Sequence, residues 1–563
     1  MHSRRDFLQL AAVTAALTGF SGNLTRLAAQ QKLSQADLLK FDSKGQVTLL
    51  HLTDIHAQLK PIYFRPPSEN FGVGAFEGIP PHLVGEQFLK HFNIPAGSPL
   101  AYAHTMVDYV NLAKTYGKLG GLDRIATLVK AIRADRGDDK VLFLDGGDTW
   151  QGSYTALKTK AQDMVDCMKL LKPDAMVGHW EFTYGEDRVK ELIDQLGFPF
   201  LGGNVVDNEF EEPVFQSTQM FDKGGVKVAV IGQAFPYTPI ANPRWMFPKW
   251  SFGIRPERVQ SHIDKAREDG AHVVVLLSHD GFDVDQKLAT LLTGCDVILT
   301  GHTHDSIPKA IEINKTLLLS SGSHGKFLGR IDLEVKDGKV VGYSSGMIPV
   351  FSDAIEPDKE MAAKIDEVRA PYEKDCNRVL GRTEGLLYRR GNFNGTWDDL
   401  ICQALLEERD AEISLSPGFR WGTTLLPGQE ITLDDMYTQT GMTYPAVYRS
   451  EFTGAQINEI MEDVCDNLFH KDPFYQQGGD MVRVGGMSYT CAPKEDKGKR
   501  ITDMTLLKTG EKIDPAKKYV VAGWASVNPD TKGPPIYDLV EGYITKKKVI
   551  GPINSETVKV VGM

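Results

Sequence analysis

The feature that most limits how this chain folds is a series of short apolar runs, each followed closely by aspartate or histidine. Val47 to Leu52 leads into Asp54 and His56, and Val141 to Leu144 leads into Asp148. Two later runs in the same pattern lead into His279, His302 and His304. Helical segments, such as those predicted at 121–135 and 255–269, separate the runs. The alternation therefore predicts a layered α/β domain with buried strands. Because open α/β sheets place their sites at the carboxyl ends of strands, we expect these polar residues to meet.

The residue types at the strand ends indicate a metal centre. Aspartate and neutral imidazole bind first-row divalent ions, and two neighbouring ions require a bridging carboxylate with further ligands on either side. A single Asp-x-His or His-x-His arises by chance, and a lone histidine is more often a hydrogen-bonded structural residue. Four such motifs in order, each after a predicted strand, favour a dinuclear metal centre over that interpretation.

The ordered motifs resemble those of the calcineurin-like metallophosphoesterases, in particular the two-domain 5′-nucleotidase family. The motifs that carry the resemblance are Asp54-x-His56, Gly147-Asp148, Gly178 to Phe182, His279 and Gly301-His302-x-His304. Later segments resemble the connecting helix and landmarks of the C-terminal substrate domain, at residues 352–380, 400–422, 431–437 and 478–486. The resemblance therefore extends over most of the chain.

The resemblance implies a fold of two domains. These are an N-terminal four-layer αββα metallophosphoesterase sandwich and a C-terminal α/β substrate domain of the 5′-nucleotidase type, joined by a helix. The implied bounds are 45–351 for the catalytic domain, 352–380 for the linker helix and 381–563 for the substrate domain. An insertion at about 60–117 is rich in turn-forming residues. It either walls a narrow channel for an extended peptide or is an ordinary surface loop.

The resemblance also implies a ligand set when the family pattern is carried over position by position. Asp148 becomes the carboxylate that bridges the two metals. One metal would be held by Asp54, His56, Asp148 and His304. The other would be held by Asp148, His179, His279 and His302.

The segment after the third predicted strand departs from the nucleotidase pattern. Nucleotidases have there a metal-binding Asn, then the catalytic His, and further on an Asp that orients this His. The register fixed by Gly178 and Gly185 places His179 at the ligand position, Trp180 at the catalytic His and Thr183 at its Asp partner. An alternative is that His179 is the catalytic histidine displaced by one position, which leaves the second metal a ligand short.

Loss of the acid pair changes the leaving group that such a site favours. A phosphate monoester expels an alkoxide, which benefits from a general acid. A sulfur anion leaves more readily, since an ordinary thiol has a pKa of about 8.5. This agrees with a more specific resemblance: residues 178–185 and the long insertion between His56 and Gly120 are similar to the SoxB family, the thiosulfohydrolases of the bacterial sulfur-oxidising (Sox) system.

The SoxB resemblance implies a metal-dependent hydrolase, an S-sulfosulfanyl-cysteine sulfohydrolase with two manganese ions (Mn²⁺) or with zinc instead. Its substrate would be a cysteine S-thiosulfonate on the SoxYZ carrier protein, from which a metal-bound hydroxide releases sulfate. Other Sox enzymes would be indirect partners. The alternatives are a periplasmic 5′-nucleotidase or other phosphoesterase, and a noncatalytic carrier-binding protein. The retained ligand set argues against the noncatalytic alternative.

Catalytic and substrate-binding roles are assigned to residues besides the metal ligands. Arg420 occupies the place of the anion-binding arginine of nucleotidases, and a planar guanidinium suits a multi-oxygen anion; the alternative is a surface ion pair. Trp180 is expected to form an apolar wall beside the metals, or else to pack in the core. Asp480 and Arg483 are expected to line the substrate channel. We interpret His324 as a turn residue.

The N-terminus resembles a twin-arginine export signal. Arg4 and Arg5 precede an apolar run from Leu10 to Phe20, the layout of a signal peptide rather than of a short amphipathic helix. Cleavage after Ala29 would remove residues 1–29 and leave a periplasmic protein.

No later apolar run reaches the roughly 18 residues that span a bilayer, and a net charge of −11 argues against a general nucleic-acid binder. Neither a nucleic-acid nor a membrane partner is expected.

Overall fold

The structure is a computed structural model that describes residues 33–554 and 557–563. The predicted signal peptide, residues 1–29, lies outside the described residues. The N-terminal part contains strands β1 Val47–Leu52, β2 Val141–Asp145, β3 Ala175–Met176, β4 Val206–Asp207, β5 Thr218–Lys223, β6 Val226–Gln233, β7 Trp250–Ser251, β8 Val273–Ser278, β9 Val297–Thr300, β10 Ile311–Ile313, β11 Thr316–Ser320, β12 Phe327–Lys336 and β13 Lys339–Pro349. Its helices are α1 Gln35–Leu38, α2 Gly85–His91, α3 Pro99–His104, α4 Tyr109–Tyr116, α5 Leu122–Arg136, α6 Tyr154–Thr159, α7 Gln162–Leu171, α8 Glu186–Leu196, α9 Thr238–Ala241, α10 Pro256–Glu268 and α11 Phe282–Leu291.

Two sheets form the centre of this part. One has the strand order β13-β12-β1-β2-β3, and the other has the order β10-β11-β9-β8-β6-β5. Strands β1, β2 and β3 run parallel, as do β6, β8, β9 and β11. Because parallel strands end at the same edge of a sheet, the residues after β1, β2, β3, β8 and β9 are brought to one region.

The sheets pack face to face, with helices on both outer sides. Leu49 of β1 and Val275 of β8 belong to one buried cluster between the sheets. Leu50 faces the opposite side and packs with Leu128 of α5. In the second sheet, Val274 packs outward with Ile263 of α10. The layers are therefore helix, sheet, sheet and helix, which confirms the predicted αββα sandwich.

The predicted secondary structure agrees closely with the observed elements. The apolar runs are strands, and β8 is buried along its whole length, as expected for a parallel strand covered on both faces. The helices predicted at 121–135 and 255–269 are α5 and α10. The insertion at 60–117 contains the three short helices α2, α3 and α4, so it is partly helical rather than a loop throughout.

The segment predicted as a linker helix contains two helices, α12 Lys359–Arg369 and α13 Glu373–Cys376. Met361 and Ile365 of α12 belong to the buried cluster on the outer face of the first sheet. The linker is therefore packed against the N-terminal part. Its predicted bounds, 352–380, and those of the two domains stay a prediction.

The C-terminal part is a second α/β unit with smaller sheets. Its strands are β14 Val379–Thr383, β15 Ile413–Gly418, β16 Glu430–Thr432, β17 Val447–Thr453, β18 Asp480–Gly485, β19 Met487–Cys491, β20 Ile501–Leu506, β21 Lys518–Trp524, β22 Val549–Ile550 and β23 Val558–Val560. Its helices are α14 Thr396–Arg409, α15 Leu433–Thr440, α16 Gly454–Phe469 and α17 Ile536–Lys547. The sheet of order β17-β21-β15-β18 faces the metal-binding region of the N-terminal part.

Among the described residues, no helix combines the length and the apolar character needed to cross a membrane.

Candidate metal centre

The strand-end residues converge into two groups that share Asp148. One group contains Asp54, His56, Asp148 and His304, and the other contains Asp148, His179, His279 and His302. Within each group the potential ligand atoms lie within 4.8 Å of one another, and all the side chains are buried. These are the two sets expected from the sequence. Their roles as metal ligands stay a prediction, whereas their convergence is a property of the structure.

The distances around Asp148 suit a bridging carboxylate. Its Oδ2 lies 3.1 Å from Nδ1 of His179, 3.2 Å from Nε2 of His279 and 3.5 Å from Nε2 of His56. The backbone N–H of Trp180 donates to the other oxygen, Oδ1, at 2.8 Å. One oxygen of Asp148 therefore faces members of both groups while the other is fixed by the chain.

The imidazole rings are oriented by backbone carbonyls. Nδ1 of His56 lies 3.2 Å from the carbonyl oxygen of Gln151, and Nδ1 of His279 contacts that of Gly146. A ring that donates Nδ1–H to a carbonyl presents an unprotonated Nε2 to a metal ion. Backbone contacts thus set the tautomer that metal binding requires.

The donor set fits two divalent ions. Both ring nitrogens of the buried His302 lack a hydrogen-bond partner within the described part of the chain, an arrangement that costs free energy unless a ligand supplies one. Nε2 of His56 and Nε2 of His304 lie only 3.0 Å apart, as expected for two donors that face one ion. Imidazole and carboxylate donors suit manganese and zinc alike, so the residues fit a dinuclear centre without choosing the metal.

The charge states of the cluster also suit cation binding. Burial lowers the pKa of His302 and of His304 well below the ordinary value, which keeps both rings neutral. Burial alone would raise the pKa of Asp148, but His179, His279 and His56 hold it well below its ordinary value. Burial also opposes the charged form of His279, but Asp148 and Asp54 raise its pKa to about 10. A metal that binds His279 must therefore displace the proton on Nε2, which leaves the neutral ring with its Nδ1–H on the Gly146 carbonyl.

Glu181 connects two of the loops that carry these residues. Its buried carboxylate accepts hydrogen bonds from four backbone N–H groups, those of Asp148 at 3.3 Å, Thr149 at 2.7 Å, Trp150 at 3.1 Å and His179 at 2.7 Å. The loop after β2 and the loop after β3 are thereby fixed to one side chain. This role of Glu181 was not predicted from the sequence, although an acidic residue in a buried motif was a signal for it.

A cavity of about 980 Å³ extends from the candidate metal centre towards the surface between the two parts of the chain. At its buried end lie members of both ligand groups, with Trp180 beside them. Its walls are largely apolar and include Phe235, Phe419 and Trp421. The exposed residues at the outer end include the apolar Ile240 and Val527 together with the charged Arg449, Asp530 and Lys532. The cavity therefore leads from an entrance of mixed polarity to the metal-binding residues.

Arg420 lines this cavity and is held by Asp480. Its Nε lies 3.3 Å from Oδ1 of Asp480, while its buried Nη1 has no hydrogen-bond partner among the described residues. Asp480 also accepts from Arg390 at 3.1 Å and from Arg483 at 3.3 Å. Although burial opposes ionisation, these arginines lower the pKa of Asp480. The expected Arg420 ion pair exists, but it is buried beside the cavity, and it leaves a donor available for an anion.

Trp180 combines the two roles considered for it. Its ring lies 4.9 Å from that of Trp421 and 5.5 Å from that of Phe419, nearly perpendicular to both. It therefore packs with the C-terminal part and also lines the cavity. Thr183 is buried, and its Oγ1 lies 2.6 Å from Oγ1 of Thr443.

One expectation about the channel requires correction, and a second is met only beside the main cavity. Arg483 does not belong to the cavity lining, because its guanidinium is buried in ion pairs with Asp480 and with Asp398, at 3.3 Å from an oxygen of each. The 60–117 insertion contributes no residue to that lining, but its residues Asn70, Phe71 and His82 line a smaller adjoining pocket together with His302 and Arg420. It is also attached to the C-terminal part, where Thr424 N–H donates to the Tyr63 carbonyl at 2.8 Å.

His324 is a residue whose position the sequence did not reveal. It lies in a turn, as expected, but it is fully buried, and its ring centroid is 5.6 Å from those of both His56 and His304. The pattern Ser-His-Gly next to a strand gave no signal for this, because the proximity depends on distant segments.

Gly478 brings the C-terminal part into direct contact with His302. A methyl group added at Gly478 would lie 1.9 Å from Nε2 of His302, and the φ angle of Gly478 is +78°. We expect Gly478→Ala to displace His302, and so to weaken binding at the second ligand group and lower activity by roughly tenfold or more, a typical cost of a misplaced group. Metal content after dialysis against defined free metal concentrations measures the effect.

Gly510→Ala provides the matched control. Gly510 has a similar φ of +71° but no atom within 4 Å of the added methyl group. The Gly510→Ala variant therefore has the same kind of backbone strain as Gly478→Ala, without a contact comparable to that with His302. Equal metal affinity in the two variants would contradict the predicted role of Gly478.

Comparison with known proteins agrees with this architecture. A family model described as "5′-nucleotidase, C-terminal domain" matches residues 379–533. A snake venom 5′-nucleotidase from Naja atra is 25% identical over 437 residues, which cover 69% of this chain and 79% of that protein. The 5′-nucleotidase of Bos taurus is 23% identical over 497 residues, covering 77% and 84% respectively.

Two solved structures from Thermus thermophilus were compared over nearly the whole chain. A 5′-nucleotidase precursor superposes with a TM-score of 0.72 and 19% identity, covering 92% of this chain and 100% of that one; this likeness shows the fold alone. The sulfate thiohydrolase SoxB, solved in complex with glycerol, superposes with a TM-score of 0.90 and 35% identity, covering 93% and 98%.

Fold and site together define a two-domain hydrolase of the 5′-nucleotidase superfamily, with residues that would hold two metal ions. Within that superfamily, the chain belongs to the SoxB family, since the SoxB structure is matched over almost its full length at 35% identity. The resemblance noted in the sequence is thereby confirmed.

Proposed function

We propose that this protein is a thiosulfohydrolase that releases sulfate from a cysteine S-thiosulfonate on the SoxYZ carrier protein. In this reaction, water adds to the terminal sulfonate sulfur and the sulfur–sulfur bond breaks. The products are sulfate and a carrier persulfide, and the proton balance is completed by solvent. The observation that carries the proposal is a full set of metal-binding residues beside Trp180 and Thr183, where nucleotidases have their acid pair.

The proposed centre contains two manganese ions, although zinc would fit the same residues. Two such ions would supply Lewis acidity and would lower the pKa of bound water to about 7. The ligand roles proposed are those of the two groups that share Asp148. Metal analysis of the purified native protein tests the metal identity, and a preparation that contains mainly zinc would contradict the manganese assignment but leave the dinuclear arrangement intact.

The chain's own residues would bind and orient the substrate. Arg420 is proposed to donate from its unpartnered Nη1 to a sulfonate oxygen, and Asp480 holds its guanidinium in place. Trp180 is proposed to form the apolar wall for the sulfur atoms next to the reacting bond. A persulfide is a stable leaving group, so the departing sulfur needs no proton donor at the position of Trp180.

The size of the cavity supports a tethered substrate. A sulfonate head with its sulfur chain is only a few atoms, whereas the cavity of about 980 Å³ is at the upper end of the range for small-molecule sites. Much of the apolar wall lies beyond reach of the head group. A protein-bound arm that carries the sulfur would occupy this remaining length.

The 5′-nucleotidase alternative is disfavoured by the aromatic residues. Nucleotidases hold the base between two rings, but here Phe419 and Trp421 stack on each other with centroids 3.9 Å apart. Phe474 and Tyr475, two neighbouring aromatic residues shortly before Gly478 in the sequence, do not line the cavity. The described structure therefore offers no slot between two rings for a base. A noncatalytic role is disfavoured because a binding module has no use for a complete ligand set.

Export through the twin-arginine route to the periplasm remains part of the proposal, on the basis of residues 1–29 alone. It would bring the protein into the compartment proposed for the carrier. Fractionation of cells that produce the full chain, together with an Arg4→Lys/Arg5→Lys variant, tests it, and unchanged export of this variant would contradict the route.

Restoring the acid pair is expected to restore phosphatase chemistry. Trp180 and Thr183 are three residues apart in a 3₁₀ turn, Trp180–Tyr184, so their side chains lie on the same side of it. The variant Trp180→His/Thr183→Asp should therefore release phosphate from AMP about 10² times faster than the wild type. Trp180→Phe, which keeps an apolar ring, is the control. Equal phosphate release from all three proteins would contradict the role assigned to this position.

The test of the function uses the metal-loaded protein with two substrates in separate assays, the thiosulfonated carrier and AMP. We expect sulfate from the first and little or no phosphate from the second. Efficient phosphate release without sulfate would overturn the proposal in favour of a nucleotidase, and neither product would favour the carrier-binding alternative.

A further inference from the structure

The turn that contains His324 lies where the two parts of the chain meet. It connects β11 to β12, and His324 has a φ of +57°, in the left-handed region that non-glycine residues seldom adopt. The side chain is fully buried. Strained backbone in a buried turn persists when surrounding contacts hold it, and such residues cluster at functional sites.

On one side, His324 supports the first ligand group. Its backbone N–H donates to the carbonyl oxygen of Asp54 at 2.7 Å, and its ring lies against those of His56 and His304. Nε2 of His324 is not directed at this ligand group, since it accepts a hydrogen bond from the backbone N–H of Gly422. His324 is therefore next to the metal-binding residues but does not belong to them.

On the other side, His324 binds the C-terminal part. The backbone N–H of Gly422 donates to Nε2 of His324 at 3.3 Å. Because Nε2 accepts, the ring proton is on Nδ1, which donates to Oγ of Ser323 at 2.8 Å. Ser323 thus selects the tautomer that receives the Gly422 bond.

The segment held by this bond carries the residues that face the cavity. Gly422 follows Arg420 and Trp421, and the ring of Trp421 lies 5.6 Å from that of His56. A backbone hydrogen bond at Gly422 fixes the end of this segment two residues from Arg420. Loss of the bond would let the guanidinium move relative to the metal-binding residues.

We propose that His324 is a positioning residue that connects the metal centre to the segment Phe419–Gly422 and so places Arg420 over the bound anion. The statement about Arg420 rests on the proposed function, whereas the connection itself does not. A purely structural role would come from ring packing, for example against Phe64, whose centroid is 4.3 Å away.

His324→Phe separates these roles, because it keeps an aromatic ring for packing and removes the acceptor. We expect amide hydrogen exchange of a peptide that contains Gly422 to become at least about tenfold faster in the full-length variant. Exchange in the buried strand β8 and the metal content should stay as in the wild type. An unchanged exchange rate at Gly422 would overturn the proposal.

A second variant keeps the test decisive if the His324→Phe protein does not fold because phenylalanine is strained at the positive φ of this position. His324→Asn tolerates the left-handed backbone, but its amide is too short to replace Nε2, so the same increase in exchange is expected. Ser323→Ala leaves the ring and removes the partner of Nδ1, and it should give a smaller increase. If neither His324 variant changes exchange at Gly422, the connection does not exist.

Anion binding provides the functional readout. With inorganic sulfate as the probe, both metal-loaded His324 variants should bind sulfate about tenfold more weakly than the wild type, as should Arg420→Ala. For the carrier substrate, KM should rise more than kcat falls. Faster exchange without any loss of sulfate affinity would overturn the placement of Arg420. A wild-type protein that releases no sulfate from the carrier would count against the proposed function, and the exchange result would still decide the connection through His324.

Discussion

Replacing Asp148 by asparagine is expected to lower sulfate release by on the order of a thousandfold or more and to reduce the bound metal below two ions per chain. The reason is the position of Oδ2, which lies within 3.5 Å of histidines from both ligand groups. An amide carries no charge and cannot bridge two cations as a carboxylate does. Metal analysis together with sulfate release from the thiosulfonated carrier measures both effects.

Asp163→Asn is the matched control for this prediction. Asp163 is also buried, but it lies on α7, where it bonds Thr159 at 2.9 Å and the N–H of Met164 at 2.8 Å. This variant should keep two metal ions and near wild-type activity per folded molecule. Retention of both ions and of activity in Asp148→Asn would remove the basis for a shared carboxylate.

Replacing Glu181 by alanine should have the largest effect on stability. It would leave four backbone N–H groups without their acceptor, and each unsatisfied buried donor costs about 1–3 kcal/mol. Water molecules that enter the space left by the side chain would satisfy some of these donors. We therefore expect a loss of about 4 kcal/mol in the free energy of unfolding. For a domain of about 300 residues, that corresponds to a fall in Tm of roughly 6 °C. Thermal unfolding followed by circular dichroism measures it.

A matched control exists in the C-terminal part. Glu462 is also buried and accepts from the N–H groups of Gly498 and Ile501, each at 2.7 Å. Glu462→Ala should lower Tm by a smaller amount and leave the metal content unchanged. Glu181→Ala should lose metal as well, because its partners include the N–H groups of Asp148 and His179. If both variants retain two ions, Glu181 does not hold the ligand loops.

Much of the fold could be predicted because the chain repeats one local signal. A strand such as β8 is apolar along its whole length, and the polar residue that follows it marks its carboxyl end. Since parallel strands end at one edge, these signals were sufficient to place Asp54 near Asp148, whereas the meeting with His302 of the second sheet followed only from the family resemblance. The sequence could not supply the distances, but it needed only the topology.

The rest depended on contacts between distant segments. His324 receives a bond from Gly422, which is 98 positions away, and no local pattern encodes such a pairing. Arg483 was expected in the channel from the family resemblance, because it falls where nucleotidases commonly have Gln, yet its neighbours in space are the buried Asp398 and Asp480. The turn-forming residues of the insertion predicted either a channel wall or a surface loop. Its attachment to the C-terminal part involves residues around Thr424, which are distant in the sequence.

The position of the candidate metal centre at the buried end of the cavity has a kinetic consequence under the proposed function. Sulfate forms there, behind the arm that delivered it. If both products leave through the entrance near Ile240 and Val527, release is ordered, with the carrier arm withdrawing first and sulfate following. Sulfate that remains bound would then compete with the next carrier arm for the site, so the local sulfate concentration would set the rate at which successive carriers are turned over.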